Sequence, residues 1–269
     1  MVSRNIIVVV AVLAIVALAA LALSLFRTPE EASVPITAAT LVIETSQPAA
    51  AATQPPAAAT TAPTAPAATE PAVAPTSAPE ATVAADPAPA AAPRIFELVQ
   101  AESQARFIID EVLRGSPERV VGVTDQVAAQ IAVDPANPAA AQLGPVTVNV
   151  RTVATDRDMR NRAIKNFILD TNTYEFVTFQ PTELVGLPAT VTVGQPFTFQ
   201  IVGDLTIRDV TQSVTFEATV TPASETRIEG LATTTFPYRD FGLSIPDSPS
   251  VDTVADDVTL ELEFVAVAQ

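Results

Sequence analysis

From residue 146 to residue 264, apolar and polar side chains trade places with a period of two, the pattern of antiparallel strands that each bury one face. Val146, Val148 and Val150 alternate with Thr147, Asn149 and Arg151, and Phe197, Phe199, Ile201, Leu205 and Ile207 with Thr198, Gln200, Asp204, Thr206 and Arg208. Val214, Phe216, Ala218 and Val220 follow against Thr215, Glu217 and Thr219, while Val258, Leu260, Leu262 and Phe264 oppose Thr259, Glu261 and Glu263. Further strands are expected near residues 95–99, 106–112, 120–133, 176–185, 190–193 and 227–236. So many strands in one domain fit either a closed barrel or a two-sheet sandwich.

Residues 155–169 (TDRDMRNRAIKNFIL) break the alternation and group Met159, Ile164, Phe167 and Ile168 at near-helical spacing. This predicts a single inserted helix, N-capped by Thr155 with Asp158 three residues on, and with Asp156–Arg160 and Asp158–Arg162 as i,i+4 pairs. Arg157, Arg160, Arg162 and Lys165, the only lysine, fall within nine positions of this helix. They read either as a clamp for an anionic head group or as a solvated face neutralised by neighbouring aspartates. Side chains stepping round a helix cannot all converge on one phosphate, so Arg160 is the best-placed candidate, with Arg157 beside it.

The chain divides into three compositions. Residues 5–26 (NIIVVVAVLAIVALAALALSLF) are uncharged and almost entirely apolar, about 33 Å if helical, enough to cross a membrane. Residues 1–27 are therefore expected to be an N-terminal anchor; a cleaved signal sequence with Ala20-Leu21-Ala22 at its cleavage site is the competing reading. Residues 28–93 are rich in Ala, Pro and Thr and lack Gly, Lys, Arg and aromatic residues, which predicts a disordered linker, roughly 200 Å long if fully extended as polyproline II. Residues 94–269 hold all eight glycines, 12 basic and 24 acidic side chains, and read as the globular domain. Both readings of the N-terminus place that domain outside the cytoplasmic membrane, anchored or secreted.

With no His, Cys or Trp, the chain cannot form a Ser/His or Cys/His nucleophile pair, a thiolate or imidazole metal site, or a disulfide. A formal net charge of −16 argues against nucleic-acid binding. Asp240 beside Arg239, and the Asp256–Asp257 pair, lack the spacing of a calcium loop and read as solvated loop acids. Tyr174 and Tyr238 read as core or rim residues. No cofactor, metal or catalytic residue is expected, and the sequence leaves a homodimer open.

Two stretches resemble the YceI-like family, extracytoplasmic lipid-binding domains with an extended lipocalin-like barrel. One is TDRDMRNRAIKNFILDTNTYEFVTFQPTEL, residues 155–184; the other is GDLTIRDVTQSVTFEATV, residues 203–220. Arg239-Asp240-Phe241-Gly242-Leu243, Phe107 and Gly122 add shorter matches. The sequence departs from the family pattern at Asn161, Glu175, Asp209 and Ser213, in place of an acid, a proline, a turn glycine and a proline. The resemblance implies an all-β, extended antiparallel barrel with one inserted α-helix, and a non-enzymatic role in binding, transport or sequestration of a long amphiphilic lipid of isoprenoid or fatty-acyl type. Phe107, Ile109, Val148, Phe179, Phe199, Ile201, Leu205 and Phe216 are the candidate lining, although alternation alone equally allows them to fill a solid core. The alternative function is a structural or adhesive surface module with such a core, displayed on a stalk.

Overall fold

The computed structural model describes residues 30–33, 36–41, 93–249 and 251–269, all within one compact unit. The apolar run at 5–26 and most of the expected linker lie outside the described residues, among which no helix is long and apolar enough to cross a membrane.

Among the described residues thirteen strands form one antiparallel sheet: β1 (Arg94–Leu98), β2 (Gln104–Leu113), β3 (Ser116–Thr124), β4 (Val127–Ala128), β5 (Gln130–Val133), β6 (Gln142–Leu143), β7 (Val146–Asn149), β8 (Phe176–Val185), β9 (Phe197–Ile207), β10 (Val210–Ser224), β11 (Arg227–Pro237), β12 (Val251–Val254) and β13 (Asp257–Ala268). The hydrogen-bonded order runs β4-β7-β8-β9-β10-β11-β13-β1-β5-β6. Because only Ala129 separates β4 from β5, the stretch 127–133 pairs with β7 through its first half and with β1 through its second, which curls the sheet back on itself. The β2–β3 hairpin lies along the first half of β13, and an isolated bridge from Val123 to Ala154 ties it to the chain after β7.

The register explains the alternation. Phe179 pairs with Val146 and Leu205, Ile201 with Phe216, Ala218 with Ala232, and Leu260 with Phe107, so facing residues of neighbouring strands turn inward together; in β8 a bulge between Pro181 and Glu183 moves the inward side from Phe179 to Leu184. Between β9 and β10 the chain reverses in two residues, Arg208 and Asp209; Arg208 adopts φ +58°, so the left-handed residue is the one before Asp209.

Three local expectations are corrected. Residues 190–193 form no strand: they belong to the loop 186–196, where Gly186 and Gly194 take positive φ and Pro188 and Pro196 deny backbone donors. Val150 leaves the alternation for a single 3₁₀ turn, Val150–Thr152, entered from Asn149, whose side chain accepts from the Arg151 N–H. The inserted helix starts later than expected, as α1 (Asp158–Ala163), and continues into a wider π-helical turn, Ile164–Ile168. Thr155 does not cap it; Asn161 instead reaches back, its Oδ1 accepting from both the Thr155 N–H and the Thr155 hydroxyl at 2.7 Å. Asp156 pairs with Arg160, but Asp158 and Arg162 make no ion pair among the described residues.

Candidate functional site

The inward faces do not meet in the middle. They enclose a cavity of about 610 Å³, within the range of sites for small molecules. At one end of it lie Ile164, Ile168 and Leu169 of the helical segment with Tyr238, Leu243 and Val254; at the other it reaches Leu187, Pro188, Val191 and Val193 of the 186–196 loop. Val191 and Val193 are exposed there, so the apolar lining continues to the surface. Between the ends the walls are almost wholly hydrocarbon, and all eight residues singled out in the sequence, Phe107, Ile109, Val148, Phe179, Phe199, Ile201, Leu205 and Phe216, line the cavity.

Three glycines help keep the interior hollow. A methyl group on Gly122 would collide with the Phe107 ring, on Gly203 it would stand 2.6 Å from a Phe179 ring carbon, and on Gly230 2.6 Å from one of Phe264. Each ring therefore packs against a strand glycine in space that any larger residue would fill. Phe179 also meets Phe216 edge to face, with centroids 5.0 Å apart.

The helical end carries charge. Glu111 continues the inward parity of Phe107 and Ile109 on β2, Glu118 continues that of Val120 and Gly122 on β3, and the two glutamates are direct cross-strand partners. Like charges face to face are unfavourable, and α1 answers them. Arg160 donates to Glu111 Oε1 at 2.6 Å, pairs with Asp156, and stands 4.0 Å from Glu118; Arg157 donates to both Glu118 oxygens, at 2.9 and 3.1 Å. Both arginines named as head-group candidates are thus engaged by carboxylates of the chain. Of the two, Arg160 borders the main cavity and Arg157 does not. Arg162 is exposed, and burial pushes the Lys165 ammonium below its ordinary value. Sequence reasoning passed over Glu111 and Glu118, whose signal was an acid on the apolar parity of two adjacent strands.

A second charged centre lies where Asn149 leaves β7. Arg151 pairs with Glu175 at 3.1 Å and donates to the carbonyls of Thr171, Asn172 and Glu31. Glu175 also accepts from Asn149 Nδ2 at 2.8 Å and from the Ser33 N–H and hydroxyl, each at 2.6 Å. Desolvation alone would raise the Glu175 pKa, but the Ser33 and Asn149 donors and the Arg151 charge outweigh it and hold the carboxyl below its usual range. Glu30 pairs with Arg151, the Gln100 amide donates to the Ile36 carbonyl at 2.7 Å, and the Leu41 N–H donates to Gln130 at 2.9 Å. Residues 30–41, at the start of the expected linker, thus have their described positions strapped to the domain.

Of the loop acids, Asp256 takes a structural partner. Asp256 pairs with Arg239 at 2.9 Å, both exposed, and Arg239 stacks on the buried Tyr238 ring at 5.0 Å, while Tyr174 lies under Arg208 at 5.5 Å. Among the described residues no group of acidic side chains is placed to hold a metal ion.

Known structures share this architecture. A polyisoprenoid binding domain from Saccharophagus degradans, implicated in plant cell wall breakdown, is similar at 16% identity and a TM-score of 0.52, with 65% of this chain and 98% of that one covered. BcnA of Burkholderia cenocepacia is similar at 21% identity and a TM-score of 0.50, covering 63% of this chain and 99% of its own. At these identities the likeness speaks to fold. Among curated protein sequences nothing matches the chain. The model of the YceI-like domain, however, matches residues 96–266, from β1 to the last turn of β13, and on that match the chain belongs to the YceI-like domain family.

Proposed function

We propose that this protein binds a long-chain amphiphilic lipid, of isoprenoid or fatty-acyl type, inside the barrel, and acts by holding and releasing it rather than by catalysis. The observation that carries the reading is the apolar cavity of about 610 Å³ that opens beside the 186–196 loop. Each methylene moved from water into such a lining contributes about 0.8 kcal/mol, so a chain of a dozen carbons is held by hydrocarbon contact alone. Phe107, Ile109, Val148, Phe179, Phe199, Ile201, Leu205 and Phe216 form the wall that a tail would touch. A solid-core display module, the alternative, has no use for the empty interior. The domain works outside the cytoplasmic membrane, tethered by residues 5–26; support for that location is the 22-residue apolar run itself.

The test is extraction of the full-length protein, purified from membranes in mild detergent, with organic solvent. A near-stoichiometric long-chain molecule in the extract, identified by mass spectrometry, supports the reading. An empty extract together with no uptake of the uncharged apolar probe N-phenyl-1-naphthylamine overturns it. For the location, protease added to spheroplasts of a bacterial host digests residues 94–269 if they lie outside the cytoplasmic membrane and spares them if they lie inside it.

A further inference from the structure

The charged end of the cavity bears on which lipid the barrel accepts, an inference that rests on the lipid-binding reading above. Arg160 and Glu111, with side chains 15% and 9% exposed, are the deepest charges on the cavity wall and are bonded to each other. Around them Glu118 and Asp156 are served by Arg157 and by the same Arg160, so three carboxylates share two guanidiniums. The remaining arginines that border the cavity are also taken: Arg94 faces Glu225 at 3.9 Å, and Arg106 lies 3.8 Å from Glu261 and pairs with Glu263. No arginine on the wall is left without an acid of the chain.

We propose that this cluster selects lipids whose head is an uncharged hydroxyl and rejects those whose head is a phosphate or carboxylate. An anionic head reaching the helical end has to take Arg160 from Glu111. That exchange leaves a buried carboxylate uncompensated beside the incoming anion and beside Glu118, its cross-strand partner. A hydroxyl asks for much less. Glu111 accepts from Arg160 at Oε1, and its Oε2, with no hydrogen-bond partner among the described residues, can accept an O–H without disturbing the pair. Discrimination comes from the group the wrong ligand would strand, since the apolar walls hold both tails equally.

The experiment is a competition on the full-length protein in non-ionic detergent, offered equal amounts of geranylgeraniol and geranylgeranyl phosphate, with bound ligand read by native mass spectrometry. The expected result is an alcohol complex exceeding the phosphate complex by about tenfold or more. Glu111→Gln removes the stranded charge and shifts the ratio about tenfold toward the phosphate. Glu118→Gln, at a more exposed position, shifts it in the same direction by less and serves where Glu111→Gln fails to fold. A wild-type protein that takes the phosphate as well as or better than the alcohol overturns the proposal, as does a preference for the alcohol that neither variant moves. If neither ligand binds while the uncharged probe N-phenyl-1-naphthylamine is taken up, the selectivity proposal falls alone; if that probe also stays free, the lipid-binding reading falls and the selectivity falls with it.

Discussion

The Arg151–Glu175 pair, with side chains 11% and 12% exposed, and the Arg160–Glu111 pair, at 15% and 9%, are withdrawn from water to nearly the same depth. They differ in what completes them. Around Arg151 the protein supplies three backbone carbonyls, and around Glu175 an amide and both donors of Ser33, so the pair is a finished knot that fastens residues 30–33 to the domain. Around Arg160 and Glu111 the neighbours are further charges on one side and hydrocarbon on the other. Burial of an ion pair therefore says little by itself. Where the remaining hydrogen-bonding capacity is met by backbone the pair is structural, and where it faces a cavity the capacity is available to a ligand.

Substitutions can break this contrast. Arg151→Ala strands Glu175 and frees three carbonyls, and is expected to cost about 3 kcal/mol or more in chemical denaturation. Replacing both partners with Arg151→Met and Glu175→Gln should recover little, because the carbonyls of Thr171 and Asn172 stay unserved. Arg160→Ala is expected to cost about 2 kcal/mol, less because Arg157 still holds Glu118. Here the double variant Arg160→Met, Glu111→Gln should recover most of the loss. Equal recovery in the two double variants would show that the pairs are alike after all.

Ser33→Ala removes one donor from Glu175 and is expected to cost about 1 kcal/mol, with faster amide exchange in residues 30–33 as its local signature. The smallest effect is on pH. The Glu175 carboxyl is depressed in the folded state, so its contribution is fully present above the ordinary value of 4.5 and is lost as pH falls through the lowered folded pKa. Thermal unfolding of the wild type should thus converge on that of Glu175→Gln below pH 4.5 and separate from it above. A constant gap between the two across that range would contradict the linkage.

Most of the barrel was legible because parity in a strand is strict: once Val146, Phe199 or Leu260 is inside, every second neighbour must be. Parity could also have flagged Glu111 and Glu118, since an acid on the apolar face of paired strands needs a partner from elsewhere, and the nearest basic cluster is the helix. What parity cannot convey is empty space. Phe107 and Phe179 read equally as bulk that would fill the interior, and only the strand pairing, which packs each ring against a glycine of the neighbouring strand, turns them into wall. The helix start was misread because Thr155 and Asp158 fit a capping pattern, whereas Asn161 made the better partner for Thr155 from within the helix. The strap was invisible for a different reason. Its affinity for the domain resides in Arg151, Glu175, Gln100 and Gln130, and nothing in the composition of residues 30–41 announces it.

That strap alters what the Ala/Pro/Thr-rich segment can do. The chain is fastened at Glu30 and again at Leu41, and it re-enters the fold at β1, so the residues between 41 and 93 begin and end on the same body. Contour length held at both ends does not translate into distance from a membrane. The 51 residues between Leu41 and Pro93 thus close a loop on one body, and their length sets no distance between Glu30 and the strands of the domain.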